Sequence, residues 1–250
     1  NNMTLEQFFA ENPETAIAFS GGVDSAYLLY AATRYAARVK AYYVSTAFQP
    51  EFELEDARRL AADVGADMQV LHVDVLMSGA VVANPPDRCY HCKNTLFRQI
   101  LRAAENDGFP VLLDGTNASD DAGDRPGMRA LRELSVRSPL RECGLTKAEI
   151  RRLSKEAGLF TWDKPAYACL ATRIRTGEEI TLQKLKQTEK AEGFLFGLGF
   201  RDFRVRMVDN TAKLELREAD LPLLLENREK IVTELRKDYD SVLLNLEARK

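Results

Sequence analysis

Four cysteines and one glycine-rich hexapeptide hold most of the reactive chemistry in this chain. The cysteines are Cys89, Cys92, Cys143 and Cys169. Cys89 and Cys92 stand three residues apart in Arg88-Cys89-Tyr90-His91-Cys92-Lys93, so at a helix start both thiols share one face. The amino-terminal end of a helix also favours their thiolate forms. A Cys-x-x-Cys pair serves zinc, redox and iron–sulfur sites alike, and two incidental cysteines stay open as the plain alternative. His72 and His91 are the only histidines, so no second Cys-x-x-Cys or His pair completes a zinc set. His72 falls in a strand pattern and reads as structural; Lys93, at the helix start, reads as solvated. Cys169 stands in Lys164-Pro165-Ala166-Tyr167-Ala168-Cys169-Leu170-Ala171-Thr172-Arg173-Ile174, beside a basic residue. Cys143, between Glu142 and Gly144, reads as a small packing residue.

The hexapeptide is Ser20-Gly21-Gly22-Val23-Asp24-Ser25. An apolar run, Thr15 to Phe19, precedes it, and a helical pattern through Tyr27, Leu28, Leu29, Ala31 and Ala32 follows. A strand, tight loop and helix in this order gather backbone N–H groups at the positive end of a helix dipole, where an anion belongs. Gly21 and Gly22 let the backbone approach a phosphate closely. Ser20 and Ser25 can donate hydroxyls, and Asp24 is placed for the Mg²⁺ that accompanies ATP. The loop lacks the Gly-Lys-Ser/Thr ending that reaches the β- and γ-phosphates in P-loop NTPases. A bare Gly-Gly would be read as a turn; the whole hexapeptide after an apolar strand points to phosphate.

These residues need a scaffold, and the pattern supplies an alternating one. Further strands are expected at Val39–Val44, Met68–Val73 and Val111–Leu113. Helices are expected at Phe52–Val64, closed by Gly65, at Cys89–Ala104 with Asp87 as N-cap, and at Thr146–Ala157 with the Thr146/Glu149 capping box. Alternation of this kind predicts an α/β fold, a doubly wound parallel sheet with ligands at the carboxyl ends of its strands. Residues 114 to 127 turn polar and read as a loop over that edge. After Arg175-Thr176-Gly177 the pattern changes to a helix at 181–196, strands near 203–208 and 212–216, and a helix at 220–236. The expected organisation is therefore residues 1–176 as the nucleotide domain and 177–250 as a small C-terminal α+β domain for substrate binding or oligomerisation.

Composition narrows the partners. A net charge of −3 provides no global positive field for a nucleic-acid backbone, so a small-molecule substrate is favoured. No apolar run approaches the ~20 residues of a membrane span, and the N-terminus lacks a signal-peptide layout, so the expected location is cytoplasmic. In a reducing compartment the cysteines are read as metal, redox or nucleophile chemistry before disulfides.

The hexapeptide resembles the signature of the PP-loop ATP pyrophosphatase superfamily, which includes GMP synthetase, NAD synthetase, asparagine synthetase and the tRNA thiolases. That resemblance implies cleavage of ATP between its α- and β-phosphates, release of pyrophosphate and an adenylated substrate. Four further segments sharpen it: Asp114-Gly115-Thr116, Asp124-Arg125-Pro126-Gly127, the Cys169 segment, and Phe203-Arg204-Val205-Arg206. With them, nearly the whole chain is similar to the LarE family of ATP-dependent sulfur transferases, which mature the nickel-pincer nucleotide cofactor of lactate racemase.

The resemblance implies that ATP adenylates a carboxylate of pyridinium-3,5-biscarboxylic acid mononucleotide, that sulfur displaces AMP, and that a thiocarboxylate results. Ser20, Gly21, Gly22, Val23, Asp24, Ser25 and Gly115 would bind the nucleotide. Cys169 would be catalytic with Asp24 and with Arg173, which is placed to orient the adenylate or stabilise a thiolate. Arg204 and Arg206 alternate on a strand and so share one face, suited to a substrate phosphate. Glu192 matches an acidic position associated with metal in the family; a further such position falls on apolar Leu223, a departure from a complete second metal site. A homo-hexamer is implied too.

Two sulfur routes stay open. Cys169 gives up its own sulfur and becomes dehydroalanine, or Cys89, Cys92 and Cys169 hold a [4Fe–4S] cluster whose open iron carries sulfide from an external sulfur donor. The Cys-x-x-Cys pair inclines the reading toward the cluster. Rival readings are a cluster-dependent tRNA thiolase, a non-catalytic nucleotide- or metal-binding module, and an ammonia-using synthetase. Against the thiolase stand the acidic pI and Val23 where many tRNA thiolases carry lysine.

Overall fold

The computed structural model describes residues 2–120 and 125–250, leaving out the side chain of Arg125. Asp124 of the Asp124-Arg125-Pro126-Gly127 motif therefore lies outside the described residues, as does the Arg125 side chain. The chain forms two compact units: Asn1–Thr46, Glu51–Val75 and Asp87–Lys164 make the first, and Ala47–Pro50, Leu76–Pro86 and Pro165–Lys250 the second. This grouping differs from the expected boundary near 176. Residues 165–176, Cys169 and Arg173 among them, group with the second unit, because Leu170 and Ala171 are fully buried in a turn that packs on a strand and a helix of that unit.

Elements are numbered in chain order. The first unit holds α1 (Leu5–Glu11), β1 (Glu14–Ala18), α2 (Val23–Tyr35), β2 (Arg38–Ser45), α3 (Glu51–Val64) and β3 (Asp67–His72); the short α4 (Gly79–Val82) belongs to the second unit. Next come α5 (Arg88–Asn106), β4 (Val111–Leu113), α6 (Arg125–Glu133), α7 (Pro139–Glu142) and α8 (Lys147–Glu156). The strand order is β3-β2-β1-β4, all parallel, with Ile17 opposite Ala41 and Leu113. Central β1 is buried on both faces, which explains its uninterrupted apolar run. Ile17, Tyr43 and Leu113 pack with Phe8, Leu28 and Leu60 on one face. Ala16, Tyr42 and Leu112 pack with Ile100, Ala104 and Leu131 on the other. Helices thus cover both faces, the doubly wound α/β sheet read from the alternation.

Local chemistry explains where the elements begin. Helix α1, absent from the expectation, starts with a full capping box: the Gln7 amide donates to Thr4 Oγ1 at 3.2 Å and the Thr4 amide to Gln7 Oε1 at 2.9 Å. Thr146 caps α8 as expected, accepting from the Glu149 amide at 3.3 Å. Asp87 occupies the N-cap position of α5 but makes no capping bond; its carboxylate faces His91 Nε2 at 3.2 Å instead. Helix α6 occupies residues that the polar pattern left partly in a loop.

The second unit has α9 (Leu182–Gly197), β5 (Arg204–Val208), β6 (Thr211–Glu215), α10 (Leu221–Glu226), α11 (Arg228–Leu235) and β7 (Ser241–Leu244). Strand β6 runs antiparallel to β5 and parallel to β7, over a core that includes Leu195, Phe200, Phe203, Leu214 and Leu235. The single helix expected at 220–236 is two: Asn227 Nδ2 donates to the Leu223 carbonyl at 2.9 Å, a side-chain bond that competes with helix continuation. Strand β7 was not foreseen. Among the described residues no helix is long and apolar enough to cross a membrane.

Candidate functional site

The phosphate loop leaves the carboxyl end of β1 and enters α2. Gly22 is the N-cap of α2 and has no side chain with which to cap it, so the first-turn amides remain available to an anion. Gly21 has φ +77°, and a Cβ there would lie 3.1 Å from the Ala57 backbone of α3. Both facts require glycine. The two serines brace the turn: Ser20 Oγ and Ser25 Oγ are 3.0 Å apart, and the Ser20 amide donates to Ser25 Oγ at 3.2 Å. Gly115, expected as a nucleotide residue, follows β4 and passes so close that a Cβ would sit 2.9 Å from the Ser25 amide nitrogen. Its contribution is to let the loop after β4 seat against the start of α2.

Asp24 stands in the first turn of α2. One carboxylate oxygen is hydrogen-bonded to Lys147 Nζ at the start of α8. The other, Oδ1, is buried without a hydrogen-bond partner among the described residues. An orphaned anionic oxygen beside a helix terminus fits a divalent cation, so Asp24 suits Mg²⁺. Lys147 was missed by sequence reasoning, because nothing local in Thr146-Lys147-Ala148 signals a partner 123 residues away. Lys164 was missed likewise. Its ammonium lies 2.8 Å from Asp56 Oδ2, 3.5 Å from Glu53 Oε1 and 3.3 Å from the Gly21 carbonyl oxygen. Burial pushes the Glu53 carboxyl above its ordinary range, with Lys164 opposing and Asp56 adding to the shift.

In the second unit Cys169 is half-buried and reduced, and starts a 3₁₀ turn, Leu170–Arg173. Side chains hold this turn by its carbonyls. Arg173 Nη1 donates to the Ala168 oxygen at 3.2 Å, the Cys169 oxygen at 3.3 Å and Thr172 Oγ1 at 2.6 Å. Thr172 Oγ1 donates to the Cys169 oxygen at 2.8 Å. Arg206 Nη1 donates to the Thr172 oxygen at 2.7 Å, and Arg204 Nη2 to the Ala166 oxygen at 3.2 Å.

This geometry bears on three expectations. Arg173 is 1% exposed; it grips the backbone of Cys169 and does not stand free to meet an adenylate. Glu192, also 1% exposed, has both oxygens engaged. It accepts from Arg173 at 2.7 and 3.0 Å, from Tyr167 at 2.8 Å and from the Val205 amide at 2.9 Å. A carboxylate so satisfied serves here as a buried counter-ion. Burial disfavours the Arg173 charge, yet the Glu192 hydrogen bonds and charge outweigh it and hold the guanidinium above its ordinary value. Burial and then Glu192 push the Tyr167 phenol up, so it stays a donor. Arg204, at 6% exposure, is lowered by burial and then by the Arg173 charge; with its carbonyl partners it props the turn and offers no free fork to a phosphate.

Arg206 is different. Paired with Glu215 at 2.8 Å, it still lines a cavity of about 370 Å³ together with Thr172, Arg175, Thr176 and Lys213. Arg175 and Lys213 were not anticipated. Spacing alone does not reveal that the residue after Ile174 and a residue on β6 share one cavity.

Cys89 and Cys92 sit near the start of α5 in the first unit, Cys89 exposed and Cys92 half-exposed. Arg88 Nη2 is 4.0 Å from Cys89 Sγ. Among the described residues no group of three or more His, Cys, Asp and Glu side chains is placed to hold a metal ion. Cys143 lies in the main core and burial raises its thiol pKa, as a packing residue requires.

Comparison with known proteins accords with this layout. The asparagine synthase family model matches residues 9–120, the span that contains the phosphate loop and all four strands of the parallel sheet. An uncharacterized protein of Synechocystis sp. is 39% identical over 85% of this chain and 80% of its own length. The pyridinium-3,5-bisthiocarboxylic acid mononucleotide synthase of Lactiplantibacillus plantarum, a LarE protein, is 33% identical over 86% of this chain and 79% of its own. The tRNA-specific 2-thiouridylase MnmA of Thermotoga petrophila is a more distant PP-loop relative, 24% identical over 58% of this chain and 52% of its own. With a phosphate loop on a parallel sheet, a thiol held in a basic turn and a relative of this similarity along most of its length, the chain belongs to the LarE family of ATP-dependent sulfur transferases.

Proposed function

We propose that the chain adenylates a carboxylate of pyridinium-3,5-biscarboxylic acid mononucleotide and delivers sulfur to it through Cys169. The observation that carries this reading is the Cys169 turn, a half-buried thiol fixed by arginines through its backbone, with a basic cavity walled by the residues that follow it. The family implies ATP and Mg²⁺. The α2 terminus would take the pyrophosphate, Asp24 the metal ion, and Arg206 with Arg175 and Lys213 the phosphate of the mononucleotide.

In the adenylation step a substrate carboxylate oxygen attacks the α-phosphorus of ATP, and pyrophosphate leaves with the electrons of the α,β-bridge. The Cys169 thiolate then attacks the acyl carbon and AMP departs, which leaves a thioester to the protein. In the sacrificial route, loss of the Cys169 Hα to a base and cleavage of the Cβ–S bond place both bonding electrons on sulfur. The thiocarboxylate leaves and residue 169 becomes dehydroalanine.

The Cys89–Cys92 pair favours a second reading, in which these two thiols and Cys169 hold a [4Fe–4S] cluster. Such a cluster would present external sulfide on its open iron and spare Cys169. Anaerobic reconstitution decides between them: about four irons per chain and a Cys169 that survives turnover support the cluster. An iron-free chain that makes one product and loses its thiol supports sacrifice. A homo-hexamer in a reducing cytoplasm completes the reading, and light scattering tests the assembly.

A further inference from the structure

We infer that Lys164 is a positioning residue for ATP, which turns one peptide of the phosphate loop so that its N–H faces the nucleotide. The inference rests on the reading that the loop binds ATP pyrophosphate, and it adds a residue outside the hexapeptide.

A lysine beside a phosphate loop would ordinarily be taken for a phosphate ligand. The surroundings of Lys164 assign it elsewhere. Its side chain is 13% exposed, and its ammonium donates to the Gly21 carbonyl oxygen at 3.3 Å while it ion-pairs with Asp56 Oδ2 at 2.8 Å and Glu53 Oε1 at 3.5 Å. Two carboxylates already offset its single charge, which disfavours a direct phosphate contact. Its backbone is pinned too, since Arg151 Nη2 donates to the Lys164 carbonyl at 2.9 Å.

What Lys164 controls is the Gly21–Gly22 peptide. In a trans peptide the C=O of one residue and the N–H of the next point in opposite directions, and no peptide among the described residues is cis. With the Gly21 oxygen drawn to Lys164, the Gly22 N–H turns into the loop, where it meets Ser20 Oγ at 3.4 Å. A flipped peptide would present a carbonyl dipole to the pyrophosphate in place of an N–H, repulsion in place of attraction. Glycine at 21 makes such a flip inexpensive, because a φ of +77° carries no side-chain restraint. Lys164 supplies the restraint, and Glu53 and Asp56 hold Lys164.

The test is titration of Mg·ATP into the full chain, without acceptor substrate, alongside thermal melting. Lys164→Met should weaken ATP binding about tenfold, and Lys164→Arg should recover most of the loss. Because Lys164→Met leaves Glu53 and Asp56 facing each other, the triple variant E53Q/D56N/K164M removes that repulsion. The inference predicts that the triple variant melts near wild type yet still binds ATP weakly. Wild-type affinity in Lys164→Met, or in the triple variant, would overturn it, since the lysine would then only neutralise two carboxylates. A wild-type chain that fails to bind Mg·ATP would instead sink the functional reading beneath.

Discussion

At the phosphate loop the polypeptide backbone forms the binding surface, whereas around Cys169 charged side chains grip the backbone and leave a thiol as the working group. The first region needs the absence of Cβ atoms, at Gly21 against α3 and at Gly115 against Ser25. The second needs the presence of four charged groups, Arg173, Glu192, Arg204 and Arg206. A surface made of N–H groups recognises any polyphosphate, so it suits a loop that serves many acceptors. A turn held by a buried ion pair is tied to one thiol. On the proposed function the contrast separates the two half-reactions, with ATP chemistry assigned to the first unit and sulfur chemistry to the second.

That division can be broken by experiment. The largest expected effect is at the thiol: Cys169→Ala should abolish thiocarboxylate formation while pyrophosphate and the acyl adenylate still form, measured by coupled pyrophosphate assay and product mass. If both half-reactions stop together, the regions are not separable in this way. Arg173→Met strands the Glu192 carboxylate in the interior and should cost about 3–5 kcal/mol in chemical denaturation. Gly115→Ala pushes a methyl group onto the Ser25 backbone and should cost about 1–3 kcal/mol, with ATP affinity lost and Cys169 alkylation unchanged.

Smaller effects sharpen the contrast. Arg206→Ala should raise KM for the mononucleotide about tenfold and leave ATP binding as it was, read from initial rates. For Glu53 the sign follows from its raised carboxyl pKa. The folded chain binds this proton more tightly than the unfolded chain, so stability falls as pH rises from the ordinary carboxylate range toward the raised value. Glu53→Gln should flatten that part of the stability-versus-pH curve, followed by melting temperature across the window.

Much of the first region was legible in sequence, because its determinants are local. A strand, two glycines and a helix are adjacent in the chain, and the bounds of β4 and the Thr146 cap of α8 followed from short-range rules. Around Cys169 the residues were named, but the contacts that they make with one another were not. Arg173 and Glu192 are 19 positions apart, and only folding reveals that the pair satisfies itself and grips a carbonyl. Arg204 and Arg206 do alternate on one strand, yet one is enclosed by Tyr167 and backbone oxygens while the other borders the cavity. Lys147 and Lys164 escaped notice because a lysine's partner is set by three-dimensional approach. The long C-terminal stretch of the second unit starts at Pro165, since the grouping follows where Leu170 and Ala171 are buried, whereas the sequence pattern changes only after Thr176.

The most direct test of the central claim is to follow the nucleotide and residue 169 through one turnover with Mg·ATP and pyridinium-3,5-biscarboxylic acid mononucleotide. The account predicts AMP and pyrophosphate in step with thiocarboxylate, and no thiocarboxylate from Cys169→Ala. Formation of ADP and phosphate, or sulfur transfer that persists without Cys169, would contradict it.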